Sequence, residues 1–274
     1  MPDQVEKPGP DAKTDARSDA RSGAKPRSEL HLVQLLPNLI TISALCAGLT
    51  GIRFAINGQF QAAVAMILVA AVLDGLDGRI ARLLRSESEI GAELDSLVDF
   101  VNFGVAPGLI MYMWGLHGLQ SGGWVATLIY ASCCLLRLAR FNIGNRSGPD
   151  KPADKATTAG FTGVPSPAGA MLAMLPAYVA FMWPESGQLH PGLLALYMVL
   201  VGSLMISRIP TPSFKSITFN ADYVRYVIIG FVALVAAVIS YPWETMVLVS
   251  VGYVMVLLLG LWQGRKTRRS ANKP

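Results

Sequence analysis

A polytopic bundle of membrane-spanning α-helices is the fold class this sequence predicts, and three observations carry the prediction. Hydrophobic residues make up 52% of the 274 and charged residues 15%, a balance too apolar for an ordinary soluble enzyme. Apolar runs recur about eight times, each near the roughly 20 residues that a helix needs to cross the hydrocarbon core. Basic residues cluster in alternate connections, as expected of a chain threaded through a bilayer by the positive-inside rule.

The first 28 residues are polar, with the near-repeat DAKTDARSDARS and no apolar run that could form a core. They read as a disordered cytoplasmic tail, with 29–274 as the integral-membrane domain. The tail is not a cleavable secretory signal, because the apolar stretch starts beyond residue 30 and no small-residue cleavage site follows it. The segment SELHLVQLLP reads as a short interfacial helix capped by Ser28. Pro37 suits the first turn of the next helix, where Asn38 and Thr41 sit one turn apart.

The expected spans are Asn38 to Ile52, Gln61 to Leu83, Ala92 to Leu116, Trp124 to Leu138, Val164 to Trp183, Leu193 to Ile206, Val224 to Ser240 and Met246 to Trp262. Arg79, Arg82 and Arg85 follow the second; Arg137, Arg140, Arg146, Lys151 and Lys155 follow the fourth; Arg208 and Lys215 follow the sixth. Further basic residues lie in both tails, so both termini are expected in the cytoplasm. The net charge of +5 is thereby accounted for by topology, and nucleic acid is not an expected partner. Pro107 is expected to kink the third span and Gly104 to admit a close neighbour. Pro165, Pro167 and Gly169 predict an irregular entry to the fifth. Cys46, Cys133 and Cys134 fall in apolar runs and read as small hydrophobes without a disulfide.

Within this apolar chain, DGLDGRIARLLRSESEIGAELDSLVD (74–99) places four aspartates. Two helices joined near Glu87 would put Asp74 and Asp77 on one face, and Gly91, Asp95 and Asp99 on another. Antiparallel pairing would bring the two acidic faces together. Four adjacent carboxylates are not all ionised unless a cation neutralises them. Oxygen-only ligands suit Mg²⁺, Mn²⁺ or Ca²⁺ rather than Zn²⁺. Arginines beside such a cluster suggest a phosphorylated substrate. An intramembrane cation relay is the rival from another class, and it would place the acids near mid-membrane rather than near a boundary.

Asp74, Asp77, Gly78, Ala81, Arg82, Gly91, Asp95 and Asp99 resemble, without a departure, the spaced signature of the CDP-alcohol phosphatidyltransferase family. Within it, PNLITISALCAGL, RLARFN, FTGVPSPAGA and RIPTPSFKSITF resemble the membrane-embedded phosphatidylserine synthase branch. The resemblance implies the family's helical membrane fold and transfer of a phosphatidyl group from CDP-diacylglycerol to L-serine, with release of CMP. It further implies two divalent ions, Mg²⁺ or Mn²⁺, held by Asp74, Asp77, Asp95 and Asp99, with Asp99 as the general base. Gly78, Ala81 and Arg82 would line the diphosphate site, and Asn38 and Thr41 the cytidine site, capping being the other reading of that pair. Arg137, Arg140, Asn142 and Lys215 are candidate acceptor ligands, against headgroup anchoring for the arginines and a plain membrane-surface lysine for Lys215. A homodimer in a bacterial inner membrane, with a cytoplasmic site beside membrane lipid, completes the expectation. Glycerol 3-phosphate, inositol phosphate and choline are the alternative acceptors. Choline would call for an aromatic cage.

Overall fold

The computed structural model describes residues 32–84, 88–146, 163–186, 189–207 and 221–271, and among them every regular element is a helix. α1 (Leu32–Ile56) and α2 (Phe60–Leu83) form an antiparallel pair turned at Gly58, which has φ +74°. α3 (Glu89–Asp99) starts at an N-cap, where Ser88 Oγ accepts the Gly91 N–H at 3.0 Å. It runs on through a π-helical stretch, Phe100–Val105, into α4 (Ala106–Met111) and a second π-helical stretch, Tyr112–Leu116. α5 (Ser121–Arg146), α6 (Ser166–Ala173), α7 (Leu175–Met182), α8 (Pro191–Ile206), α9 (Ala221–Ser240) and α10 (Pro242–Ala271) follow.

Five described stretches are long and apolar enough to cross a membrane: Leu36–Ile56, Phe60–Leu83, Glu89–Leu119, Ser121–Gly144 and Pro242–Gly260. α8 is a shorter apolar helix. The protein is thus an all-α polytopic membrane protein. Its packed interior joins Ile110, Tyr130, Cys134, Met174, Tyr178 and Met198, while large apolar side chains such as Ile56, Val72, Leu196, Ile239 and Leu248 point outward. That inversion is what a lipid solvent permits, since apolar surface costs nothing against acyl chains. Trp124, Trp183 and Tyr241 are exposed at one end of the bundle, as an interfacial aromatic belt would be.

Two sequence expectations change in detail. The segment before Pro37 is not a separate helix in its described part, because α1 runs continuously from Leu32 through Pro37. The ring forfeits only one backbone bond, close to the helix start. The span expected over Val164 to Trp183 is two helices meeting at Met174. Its break lies just ahead of Pro176, which has no N–H to give the carbonyl four residues back, Leu172 O.

That carbonyl accepts the Tyr197 hydroxyl from α8 at 2.6 Å. Pro107 repeats the arrangement: the carbonyl four residues before it, Phe103 O, accepts the Tyr130 hydroxyl from α5 at 2.7 Å. In a bilayer no water is at hand for a freed carbonyl, so a neighbouring helix must supply the donor. Tight crossings complete the bundle. A Cβ on Gly104 would meet Cys134 Cβ at 3.1 Å, and one on Gly48 would run into Asn102 Oδ1. Replacing Tyr130 with Phe leaves a buried acceptor without its side-chain donor and is expected to cost about 1–3 kcal/mol. Thermal unfolding in detergent should show a lowered midpoint for Tyr130→Phe, and a smaller drop for the less buried Tyr197→Phe.

Candidate active site

The site forms where helix ends of alternating direction meet at one end of the bundle: the starts of α1, α3 and α6 and the finishes of α2, α5 and α8. Each junction has a polar tie. Thr41 Oγ1 on α1 donates to Asp77 Oδ2 on α2 at 2.6 Å. Asn142 Nδ2 on α5 donates to Ser96 Oγ on α3 at 2.7 Å. Arg140 Nη1 donates to Ile206 O at the end of α8 at 3.2 Å, where carbonyls lack intrahelical partners. Arg137 Nη1 donates to Ser166 Oγ at the start of α6.

At the centre, carboxylate oxygens of Asp74, Asp95 and Asp99 all lie within 4.8 Å of one another. The spacing of three and four residues along α2 and α3 produces this, as the two acidic faces oppose each other. Asp77 lies one turn along α2 from Asp74, outside that group of three. It is 3% exposed, with Oδ2 taken by Thr41 and Oδ1 buried without a donor among the described residues. Asp99 Oδ1 is likewise buried without a donor. Buried carboxylate oxygens that lack donors, on acids crowded this closely, fit a hard cation, which both neutralises charge and supplies the missing partner. The donor set therefore fits a divalent metal centre.

Beside the acids, a Cβ placed on Gly78 would meet nothing within 4 Å, so packing does not demand that glycine and its face is open to a ligand. Arg82 folds back along α2, its Nε donating to Gly78 O at 2.9 Å. Ala81, half-buried, is on the same helix end. Asn38 lies across from Gly91, where an added Cβ would come within 3.0 Å of Asn38 Oδ1. Thr41, expected to face a nucleotide, has a single hydroxyl hydrogen shared between Asp77 Oδ2 at 2.6 Å and Pro37 O at 3.1 Å.

Of the four candidate acceptor ligands, Arg140 and Asn142 are engaged in interhelical ties. Arg137 faces inward: its Nε is buried with no hydrogen-bond partner among the described residues, and its guanidinium is within electrostatic reach of Asp99. Lys215 lies outside the described residues, as do Arg85 and Glu87. Sequence reasoning did not single out Ser166, Ser96 or Asn102. Asn102 extends the Asp95, Asp99 stripe by three residues and is fully buried, with neither amide atom hydrogen-bonded among the described residues. The period of the acidic stripe, carried one turn further, would have found it.

Comparison with known proteins bears on the same residues. The CDP-alcohol phosphatidyltransferase family matches residues 34–207, from α1 to the residue after α8, and so takes in every helix end around the acids. A protein of Mycobacterium leprae named CDP-diacylglycerol--serine O-phosphatidyltransferase is 40% identical over 226 residues, covering 80% of this chain and 72% of its own. Proteins of the same name from Helicobacter pylori strain J99 and Bacillus subtilis strain 168 are 37% and 34% identical, over 73% and 66% of this chain and 81% and 91% of their own. With the family match spanning well over half the chain and carrying the whole acidic centre, this protein belongs to the CDP-alcohol phosphatidyltransferase family.

Proposed function

We propose that this protein transfers the phosphatidyl group of CDP-diacylglycerol to the hydroxyl of L-serine, giving phosphatidylserine and CMP. The observation that carries the proposal is the convergence of Asp74, Asp95 and Asp99 within 4.8 Å, in a family member whose relatives bear that activity's name. The buried Arg137 Nε–H, without an acceptor among the described residues, supports an anionic acceptor.

Asp74, Asp77, Asp95 and Asp99 would hold two divalent ions, Mg²⁺ or Mn²⁺. Bound there, such ions supply Lewis-acid neutralisation of the diphosphate charge. The protein's own groups do the rest. Gly78 leaves a face of α2 clear for the diphosphate, which Ala81 and Arg82 border; Asn38 and Thr41 are proposed for the cytidine, and the Thr41 hydroxyl also holds Asp77. The serine hydroxyl attacks the phosphorus that carries diacylglycerol, in line with the bond to CMP. A new serine oxygen–phosphorus bond forms, the diphosphate bond breaks, and CMP departs with the bridging oxygen. Asp99 takes the hydroxyl proton. Arg137 binds the serine carboxylate. Arg140 and Asn142 serve the acceptor site by fixing the end of α5, and Lys215 is proposed as a further anion contact.

The interfacial position lets acyl chains stay in lipid while the polar groups meet water. We place the site and both termini on the cytoplasmic face of a bacterial inner membrane, on the charge pattern of the connections and the bacterial relatives. The homodimer is carried over from the family resemblance.

Purified protein in detergent, given CDP-diacylglycerol and Mg²⁺ or Mn²⁺, should release CMP with serine and not with glycerol 3-phosphate, inositol phosphate or choline. Release with another of these alone would reassign the acceptor, and no release with any would remove the enzymatic reading. Asp99→Asn should lower the serine-dependent rate by at least about 100-fold. A chelator should abolish CMP release, and either metal should restore it. Thr41→Val, which removes a hydrogen bond to a charged ligand, should raise the metal concentration for half-maximal rate by about 10-fold. An unchanged metal dependence would show that the Thr41 contact does not order Asp77.

A further inference from the structure

Ser166 is a polar side chain with no exposure, at the first position of α6. Pro165 precedes it and Pro167 follows it, so the backbone on either side has a fixed φ and the hydroxyl has little freedom to move. Its Oγ accepts from Arg137 Nη1. A guanidinium is planar and its donors stand in a rigid fork, so holding one nitrogen fixes where the others point. The remaining Nε–H of Arg137 is buried and has no acceptor among the described residues. A buried charged donor left unmatched is costly, and a bound anion would remove that cost. The start of α6 reinforces the preference, since the positive end of its dipole lies at Ser166.

We propose that Ser166 is a positioning residue for the acceptor: it locks the Arg137 guanidinium so that its Nε–H edge receives the carboxylate of serine. The inference rests on the function proposed above and deepens it. The same lock sets which way the bound carboxylate lies relative to Asp99, because the Arg137 guanidinium is within electrostatic reach of that acid. An acceptor bearing its carboxylate a short carbon frame away from its hydroxyl then has the hydroxyl delivered to the base. An amine-only acceptor gains nothing from this edge, and the ester or amide of serine loses the charge that the edge reads.

Full-length protein in detergent, with serine and CDP-diacylglycerol varied separately, tests this. Ser166→Ala should raise the serine KM by about 10-fold, the worth of one hydrogen bond to a charged group, with the CDP-diacylglycerol KM changed by less than about 2-fold. Ser166→Thr, which keeps the hydroxyl, should recover most of the serine KM. In an Arg137→Ala background, Ser166→Ala should add nothing, since the two act as one unit. The wild type should discriminate strongly for L-serine over L-serinamide, and Ser166→Ala should narrow that preference. Four results overturn the proposal: an unchanged serine KM; equal losses for both substrates that Thr does not rescue, as a purely structural tie would give; additivity with Arg137→Ala; or wild-type protein that uses serinamide as well as serine. The last needs no variant, so it decides the matter even where Ser166→Ala fails to fold. Wild-type protein inactive with serine but active with another acceptor overturns the functional reading itself, and the role of Ser166 with it.

Discussion

Three carboxylates whose oxygens lie within 4.8 Å of one another, at the end of an apolar bundle, repel each other when ionised, and their partial burial weakens the screening that water gives them. Everything around them answers that constraint. α1 crosses close to α2 and contributes Thr41, whose hydroxyl takes one oxygen of the fourth acid. Asp77 and Asp99 each retain a buried oxygen with no donor among the described residues. The arrangement is stable as a receptor for positive charge, and a divalent ion meets that demand with the fewest groups. Because the acids lie near the helix ends rather than at mid-bundle, the charge they gather is accessible from an aqueous face while lipid remains alongside.

The helices that bring the acids there are not ideal rods. Pro107 and Pro176 break the regular ladder, and each freed carbonyl is taken by a tyrosine hydroxyl from a neighbouring helix. Such breaks are affordable in a membrane only where protein covers them. The π-helical stretch Phe100–Val105 begins directly after Asp99. It therefore lies between the site and the packed interior and changes the direction in which residues beyond Asp99 project. Asn102, within that stretch, abuts Gly48 of α1 so closely that a Cβ there would require the buried Asn102 amide to move. The glycine is what allows α1 to approach and present Asn38 and Thr41.

The basic residues at the end of α5 divide by role. Arg140 and Asn142 are consumed in ties to α8 and α3, which hold the helix ends in register. Arg137 keeps a buried N–H in reserve, and the residue that orients it comes from a different helix, after a long connection. In the proposed function the acceptor is held across α3, α5 and α6, whereas the acidic cluster sits on α2 and α3.

What the sequence by itself determined is what depends on local spacing and on solvent. Apolar runs of spanning length require helices in a bilayer, and acids three and four apart on two helices must stripe one face each. The resemblance of the 74–99 stretch to a family signature follows from those same fixed spacings. Tertiary structure decided what depends on contacts between distant segments. Nothing local to Thr41 says that its hydroxyl reaches Asp77, 36 residues away. Nothing local to Arg137, Arg140 or Asn142 says which is spent on a helix end and which faces the site. The fifth span read as one irregular helix because a proline signals a break without fixing whether a neighbour can satisfy it, and Tyr197 on α8 supplies that condition. Ser166 escaped notice for the same reason: a serine between two prolines looks like a turn residue until a guanidinium from another helix is placed against it.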